Sequence, residues 1–152
     1  MLHTTLKLLK RYQACEPSFT QFRAQVGDVP DNQLIPLTRV LELRGLEETL
    51  WAFCAVPKTE QRDRDRISRL LACDYAERVL PLYETQFPGD TRSRDCIAVS
   101  RRFAVGEATK GELNVAWSAA LSAADAAWSA AQSAADDETR WQTEKLKEYL
   151  NA

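Results

Sequence analysis

Two clusters of charged residues near the middle of the chain have types and spacings suited to acid-base chemistry. Asp74 and Glu77 lie three residues apart, so a helix would place both carboxylates on one face, and Arg78 follows directly. The second cluster combines two acids with two arginines: Asp90, Arg92, Arg94 and Asp95. Paired carboxylates can transfer protons, and arginines beside them can bind phosphate.

The same residues also fit a structural role. If the two clusters flank a turn, a Glu77–Arg94 or an Asp90–Arg78 ion pair would lock the corner between two helices. We favour this interpretation over ligand binding or catalysis and predict no catalytic residue. The predicted structural corner consists of Glu77, Arg78, Asp90, Arg92 and Arg94.

The rest of the composition excludes several kinds of chemistry. The single histidine, His3, excludes a Ser-His-Asp or Cys-His nucleophile with a buried imidazole, and a multi-histidine metal site. No C-x-x-C pair and no glycine-rich phosphate-binding motif is present, so we predict neither a metal nor a cofactor. The four cysteines are predicted to be reduced and buried as small apolar residues: Cys15, Cys54, Cys73 and Cys96.

The length of the chain indicates one globular domain, and its N-terminal residues indicate a location in the cytoplasm. The chain has 152 residues and a net charge of -2, so we expect no specific binding to nucleic acid. Lys7, Lys10 and Arg11 interrupt the leucines at the N-terminus, which lacks the apolar stretch of a signal peptide. No apolar run is long enough to span a membrane. We therefore expect a cytoplasmic protein that does not bind membranes.

The spacing of apolar residues predicts an all-α fold, a compact bundle of six to eight helices with a long Ala-rich C-terminal helix. Gly45 and Pro57 are predicted to end helices, Pro81 to kink or end one, and Thr109 with Glu112 to form a capping box. The predicted helices span residues 4–13, 16–26, 37–43, 46–56, 65–84, 91–105 and 109–150.

We expect a single helical domain over residues 1–152, in three parts. Short helices occupy residues 1–57, a helical hairpin occupies residues 63–109, and the Ala/Trp helix occupies residues 109–150.

The Ala/Trp helix contains an 11-residue repeat. Residues 117–127 and 128–138 match at eight of eleven positions, and eleven residues close three helical turns. Trp117 and Trp128 therefore point in the same direction. This stripe could pack within the protein or bind a partner; we predict that Trp117 is buried and that Trp128 lies in an interface. The candidate partner-binding residues are Trp117, Trp128, Ser129, Gln132, Ser133 and Asp136.

The central segment 69–109 resembles a bacterial family of immunity proteins, the immunity-protein-five-like domain. In that family a helix ends in a string similar to CAERVLP, and a PGD-x-R-x-R turn leads into a second helix. The matching residues here are Cys73, Glu77, Arg78, Val79, Leu80, Pro81, Pro88, Gly89, Asp90, Arg92 and Arg94. The resemblance implies a helical hairpin and a protein that inhibits a toxin or a defence component by binding it.

Three hypotheses for function follow. The first is a small protein-binding module that inhibits its partner by occlusion, as an immunity or counter-defence protein does. The second is a helical protein that associates with itself through the Ala/Trp helix and has no inhibitory role. The third, which we favour least, is a small enzyme or nucleotide-binding protein that uses the arginine and aspartate residues of the corner.

Overall fold

A computed structural model gives the fold of the chain. It describes the backbone of residues 1–131 and 135–151, and the side chains within these ranges other than Gln86, 121–131 and 135–137. Over these ranges the chain forms seven α-helices and one small sheet of two strands. The predicted all-α class and the predicted number of helices are confirmed.

The helices follow the order of the sequence, and the two short strands lie in its first quarter. The strands are β1 (His3–Thr4) and β2 (Ile35–Pro36), and two 3-10 turns cover Phe53–Ala55 and Lys58–Glu60. The helices are α1 (Leu6–Arg11), α2 (Glu16–Val26), α3 (Leu37–Ala52), α4 (Gln61–Gln86), α5 (Arg92–Ala104), α6 (Lys110–Ala131) and α7 (Ala135–Asn151).

The first of two compact units consists of Met1–Arg64 and Gln142–Ala152. Strands β1 and β2 pair antiparallel, with His3 opposite Pro36 and Thr4 opposite Ile35. This sheet was not predicted, because two-residue strands are too short to show a period-two pattern in the sequence. The side chains at the centre of this unit are almost completely buried: Leu2, Leu6, Leu37, Leu146 and Leu150.

Local sequence signals set the helix ends of the first unit. The Thr5 hydroxyl oxygen accepts a hydrogen bond from the Leu8 amide at 3.0 Å and so caps α1. Gly45 adopts φ 77° and ψ -172° inside α3 and interrupts it where the sequence predicted a break. Only glycine takes up such a backbone conformation without a steric penalty. The boundary predicted between the third and fourth helices is therefore present as this kink.

The single histidine has a structural role. The His3 backbone amide donates to Glu60 Oε2 at 2.7 Å, and His3 Nδ1 lies 2.9 Å from Glu60 Oε1. These two contacts join β1 to the 3-10 turn before α4. The buried Thr4 hydroxyl beside them donates to the Ala55 carbonyl at 2.8 Å.

The second unit, Asp65–Trp141, contains most of α4, all of α5 and α6, and the beginning of α7. Helix α4 continues through Pro81 to Gln86, so Pro81 does not end it. Few of the described side chains in this unit are fully buried, and those that are belong to α4: Ile67, Leu71, Cys73 and Tyr83. The described faces of α5 and α6 are only partly covered.

Two predictions about burial are wrong. Trp117 is 60% exposed, because it lies on the side of α6 that borders an open groove instead of a packed helix. Cys15 is exposed because it precedes the first turn of α2, whose buried face is made by Phe19 and Phe22. All four cysteines are free, and Cys73 is the one that is fully buried.

The Ala/Trp segment is helical on both sides of residues 132–134. The continuity that the sequence predicts between α6 and α7 falls on those three residues and lies outside the described ones. Among the described helices, none is long and apolar enough to cross a membrane.

Candidate functional site

An open groove of about 700 Å³ lies between α4, α5 and α6 in the second unit. Its lining is mainly apolar, with several polar side chains, which is typical of binding sites in proteins. Helix α4 supplies Asp65, Ser68, Arg69, Ala72, Cys73 and Ala76, α5 supplies Cys96, Ile97 and Ser100, and α6 supplies Leu113, Asn114 and Trp117.

Helical spacing explains which side chains line the groove. Ser68, Ala72 and Ala76 follow one another at intervals of four, so they form a row of small side chains along α4. Leu113 and Trp117 are also four residues apart, and both line the groove from α6. The groove is therefore bordered by small side chains on α4 and by a large, exposed indole ring on α6.

The thiols that line the groove are suited to packing. The Cys73 thiol donates to the Ile97 carbonyl, with 3.8 Å between sulfur and oxygen. Burial raises the pKa of the Cys73 and Cys96 thiols. Both thiols are therefore protonated at neutral pH and are poor nucleophiles.

Arg101 holds α4 and α5 together close to the groove. Its guanidinium donates to Glu77 at 2.9 and 2.6 Å and also donates to Asp74. The Glu77 carboxylate, followed by that of Asp74, raises the pKa of Arg101 further above its usual range. Asp74 and Glu77 were candidates from their spacing in the sequence, whereas Arg101 was not. The signal available was its place on the basic side of the next helix.

We expect Arg101→Ala to lower the free energy of unfolding by about 1.5–3 kcal/mol, the range for hydrogen bonds to charged groups. The Asp74 side chain is only 11% exposed, so the variant removes a guanidinium that stabilises a largely desolvated carboxylate. Arg102→Ala is the matched control. Arg102 and its partner Glu112 are 50% and 49% exposed, and exposed pairs contribute about 0–1 kcal/mol. Urea denaturation of both variants measures the difference, and equal losses would contradict the assignment.

A second group of contacts closes the turn between α4 and α5. The Arg92 guanidinium donates to both oxygens of Asp90, at 2.8 and 2.5 Å, and the buried Tyr83 hydroxyl donates to the same carboxylate at 2.5 Å. The Arg92 guanidinium first, and the Tyr83 hydroxyl second, lower the pKa of Asp90 well below its usual range. Asp90 is therefore ionised at neutral pH and unsuited to act as a general acid.

The two ion pairs suggested from the sequence are wrong, although the residues named do form ion pairs. Arg94 bonds Glu84 at 2.9 Å, Arg78 bonds Glu138 at 2.8 Å, and Arg78 also lies 4.8 Å over the ring of Trp141. Helical geometry explains the result for Arg94, because Glu84 lies closer to the turn than Glu77 does and is therefore within reach of the start of α5.

Stability should depend on pH through Asp90. The pKa of Asp90 in the folded protein is below its unfolded value of about 3.9, so ionised Asp90 stabilises the fold above that pH. This stabilisation is lost as the pH falls toward the folded pKa. We therefore expect Asp90→Asn to lower Tm at pH 7. The difference in Tm between this variant and the wild type should become progressively smaller below about pH 4. Glu107→Gln, at an exposed loop position, is the control. A difference in Tm that does not change with pH would contradict the stabilising role of ionised Asp90.

The remaining candidate residues divide into two groups. Trp117 lines the groove. The side chains of Trp128, Ser129, Gln132, Ser133 and Asp136 lie outside the described residues. In the part of the chain that the structure describes, no group of three or more His, Cys, Asp or Glu side chains is placed to hold a metal ion.

Comparison with known proteins identifies one family. A search of curated proteins and a search of solved structures both return no match. The profile of the family described as Imm-5 like putative immunity protein matches residues 58–136, which are 79 of the 152 residues. This region includes the groove, the Arg101 contacts and the turn at Asp90. The chain therefore belongs to the family of Imm-5 like putative immunity proteins.

Proposed function

We propose that this protein is an immunity-type inhibitor that binds a toxin or a defence component and blocks it by occlusion. The observation that carries the proposal is the family match over residues 58–136, within which the groove and exposed Trp117 lie. Tryptophan is among the residues that contribute most to binding energy in protein interfaces. Among the described side chains, Trp117 therefore has the strongest support as a partner-binding residue.

The charged groups of the second unit support binding over catalysis. Asp74 and Glu77 are held by Arg101, and Asp90 is held ionised by Arg92 and Tyr83. A general acid or base needs a pKa near the working pH and access to a substrate. Fixed ion pairs instead stabilise the helices that present the groove, and occlusion needs a stable surface.

The site of action that we infer is the cytoplasm. All four cysteines are free, and disulfides are typical of oxidising compartments. The protein would then bind its partner either before the partner is exported or after the partner has entered the cell.

The test uses the protein encoded by the gene next to the one for this chain. We expect that protein, expressed alone, to arrest growth, and co-expression of this chain to restore growth. The purified pair should elute as one complex in size-exclusion chromatography with light scattering. The proposed function would be contradicted if the protein from the neighbouring gene does not arrest growth, or if growth stays arrested when this chain is co-expressed.

Self-association is the alternative, and the exposed side chains of α6 favour it too. Trp117 on α6 is 60% exposed, and tryptophan is enriched in contacts between proteins. Light scattering of the chain alone distinguishes the two cases. A monomer supports the inhibitor, and a stable dimer in which Trp117 is shielded from acrylamide supports self-association.

A further inference from the structure

One charged side chain in the described lining of the groove has no partner of opposite charge. Arg69 on α4 is half-buried, and its Cζ lies 4.8 Å from the centre of the Phe103 ring. This contact with an aromatic ring favours one position of the guanidinium. Among the side chains that the structure describes, no carboxylate forms an ion pair with Arg69. Its N–H groups are therefore able to bind an anion from outside the chain.

The acids close to Arg69 are already engaged. Asp65, the acid in the lining, takes part in an interaction within the chain. Asp74 and Glu77, further along α4, are both bound by Arg101. Arg69 thus differs from Arg101, because these acids leave its charge unpaired.

The position of Arg69 constrains what can cover the groove. Arg69 and Trp117 line the same groove, so a protein that covers the indole ring also removes water from the guanidinium. Removing water from an unpaired charge is strongly unfavourable. A protein that covers Trp117 must therefore also neutralise Arg69. A guanidinium presents pairs of N–H groups in one plane, and these match the two oxygens of a carboxylate.

We propose that Arg69 binds the carboxylate of an aspartate or glutamate side chain on the partner, while an apolar side chain of the partner packs against Trp117. This inference rests on the proposed function and specifies how the groove recognises its partner. The ion pair forms as the partner excludes water from the groove, so it contributes to a slow rate of dissociation.

The first test measures Kd between the chain and the purified protein from the neighbouring gene. We expect Arg69→Gln to raise Kd at least about 30-fold, because it leaves a carboxylate of the partner buried and unpaired. Arg69→Lys keeps the charge but loses the paired N–H groups, so its Kd should be intermediate. Arg102→Gln is the control, since Arg102 is exposed on α5 and does not line the groove. Wild-type affinity of Arg69→Gln would overturn the proposal.

Variants of the partner identify the carboxylate. Each exposed aspartate or glutamate of the partner is replaced in turn by asparagine or glutamine. We expect one of these variants to lose as much affinity as Arg69→Gln does, and the two changes together to cost no more than either alone. Additive losses for every acid of the partner would show that Arg69 binds no carboxylate there.

A second test does not depend on the partner. Two dye-labelled helical peptides of leucine, alanine and glutamine are capped at both ends and differ at one central position, where one has glutamate in place of glutamine. Fluorescence anisotropy measures the binding of each peptide to the full chain. We expect the glutamate peptide to bind at least about tenfold more tightly, and Arg69→Gln to remove the difference. Equal binding of the two peptides to the wild-type chain would overturn the proposal.

Growth rescue separates failure of this inference from failure of the proposed function. Full rescue by Arg69→Gln would refute Arg69 as a docking residue and leave the immunity function standing. A preference for the glutamate peptide that depends on Arg69, without growth rescue by the wild-type chain, would refute the immunity function and leave the carboxylate site standing.

Discussion

Replacing Trp117 by alanine should abolish neutralisation of the partner and leave the fold intact. The indole is 60% exposed, so its loss should change the free energy of unfolding by no more than about 0.5 kcal/mol. As the largest side chain that lines the groove, it should cost about 2–4 kcal/mol of binding energy when it is truncated. That cost corresponds to a rise in Kd of about 30-fold to about 1,000-fold. Titration calorimetry with the purified partner measures the change.

Trp51→Ala is the matched control for Trp117→Ala. Trp51 is also partly exposed, at 40%, but belongs to the first unit, outside the region that matches the family. Its truncation should leave both growth rescue and Kd unchanged. Acrylamide should quench Trp117 in the free chain and be excluded from it in the complex. A Trp117→Ala variant that still binds with wild-type affinity would show that the partner binds elsewhere.

The largest loss of stability is expected for Leu37→Ala. Leu37 is 0% exposed, opens α3, and donates its backbone amide to the Leu2 carbonyl at 2.9 Å. Truncation of a buried leucine leaves a cavity and costs about 2–5 kcal/mol. A typical domain has only about 5–15 kcal/mol of stability, so this variant should lose a large part of it.

A neighbouring leucine provides the control for Leu37→Ala. Leu34 lies three residues earlier and is 53% exposed, so Leu34→Ala should change the free energy of unfolding by no more than about 0.5 kcal/mol. Guanidinium denaturation followed by circular dichroism measures both variants. Similar losses for the two leucines would mean that Leu37 does not contribute to the core in the way its burial indicates.

The proposed immunity function divides these variants into two groups. Leu37 and Arg101 should affect stability first, whereas Trp117 should affect binding first. A set of variants that divides in this way would separate the surface that binds from the residues that hold it in place. Equal loss of stability and binding in every variant would mean that the groove is a structural feature.

Local features of the sequence determined several of the helix boundaries. Helix α2 begins and ends where its apolar spacing predicts, and the backbone breaks at Gly45 as predicted. The capping box is also confirmed: the Thr109 amide donates to Glu112 at 2.7 Å, and the Glu112 amide donates to the Thr109 hydroxyl oxygen at 3.2 Å. These features depend on residues within four positions of one another, so the sequence contains all the information needed to predict them.

The partners of the charged residues were decided by the tertiary structure. Arg101 bonds a carboxylate 24 residues away, and Arg78 bonds one 60 residues away. A guanidinium can bond any carboxylate within reach, and that reach is set by how the helices pack. The sequence therefore predicted that Glu77, Arg78, Asp90 and Arg94 form ion pairs, but not with which partners.

The exposure of Trp117 has the same physical origin. An 11-residue repeat places Trp117 on one side of its helix, and this much follows from helical geometry alone. Whether that side meets a neighbouring helix or an open groove depends on the small residues of α4, about forty positions earlier in the sequence. The sequence by itself determined the helical class, the break at Gly45 and the capping box at Thr109, because each depends on residues close together in the chain. Only the tertiary structure decided that Trp117 borders a groove and is open to a partner, since burial depends on long-range packing.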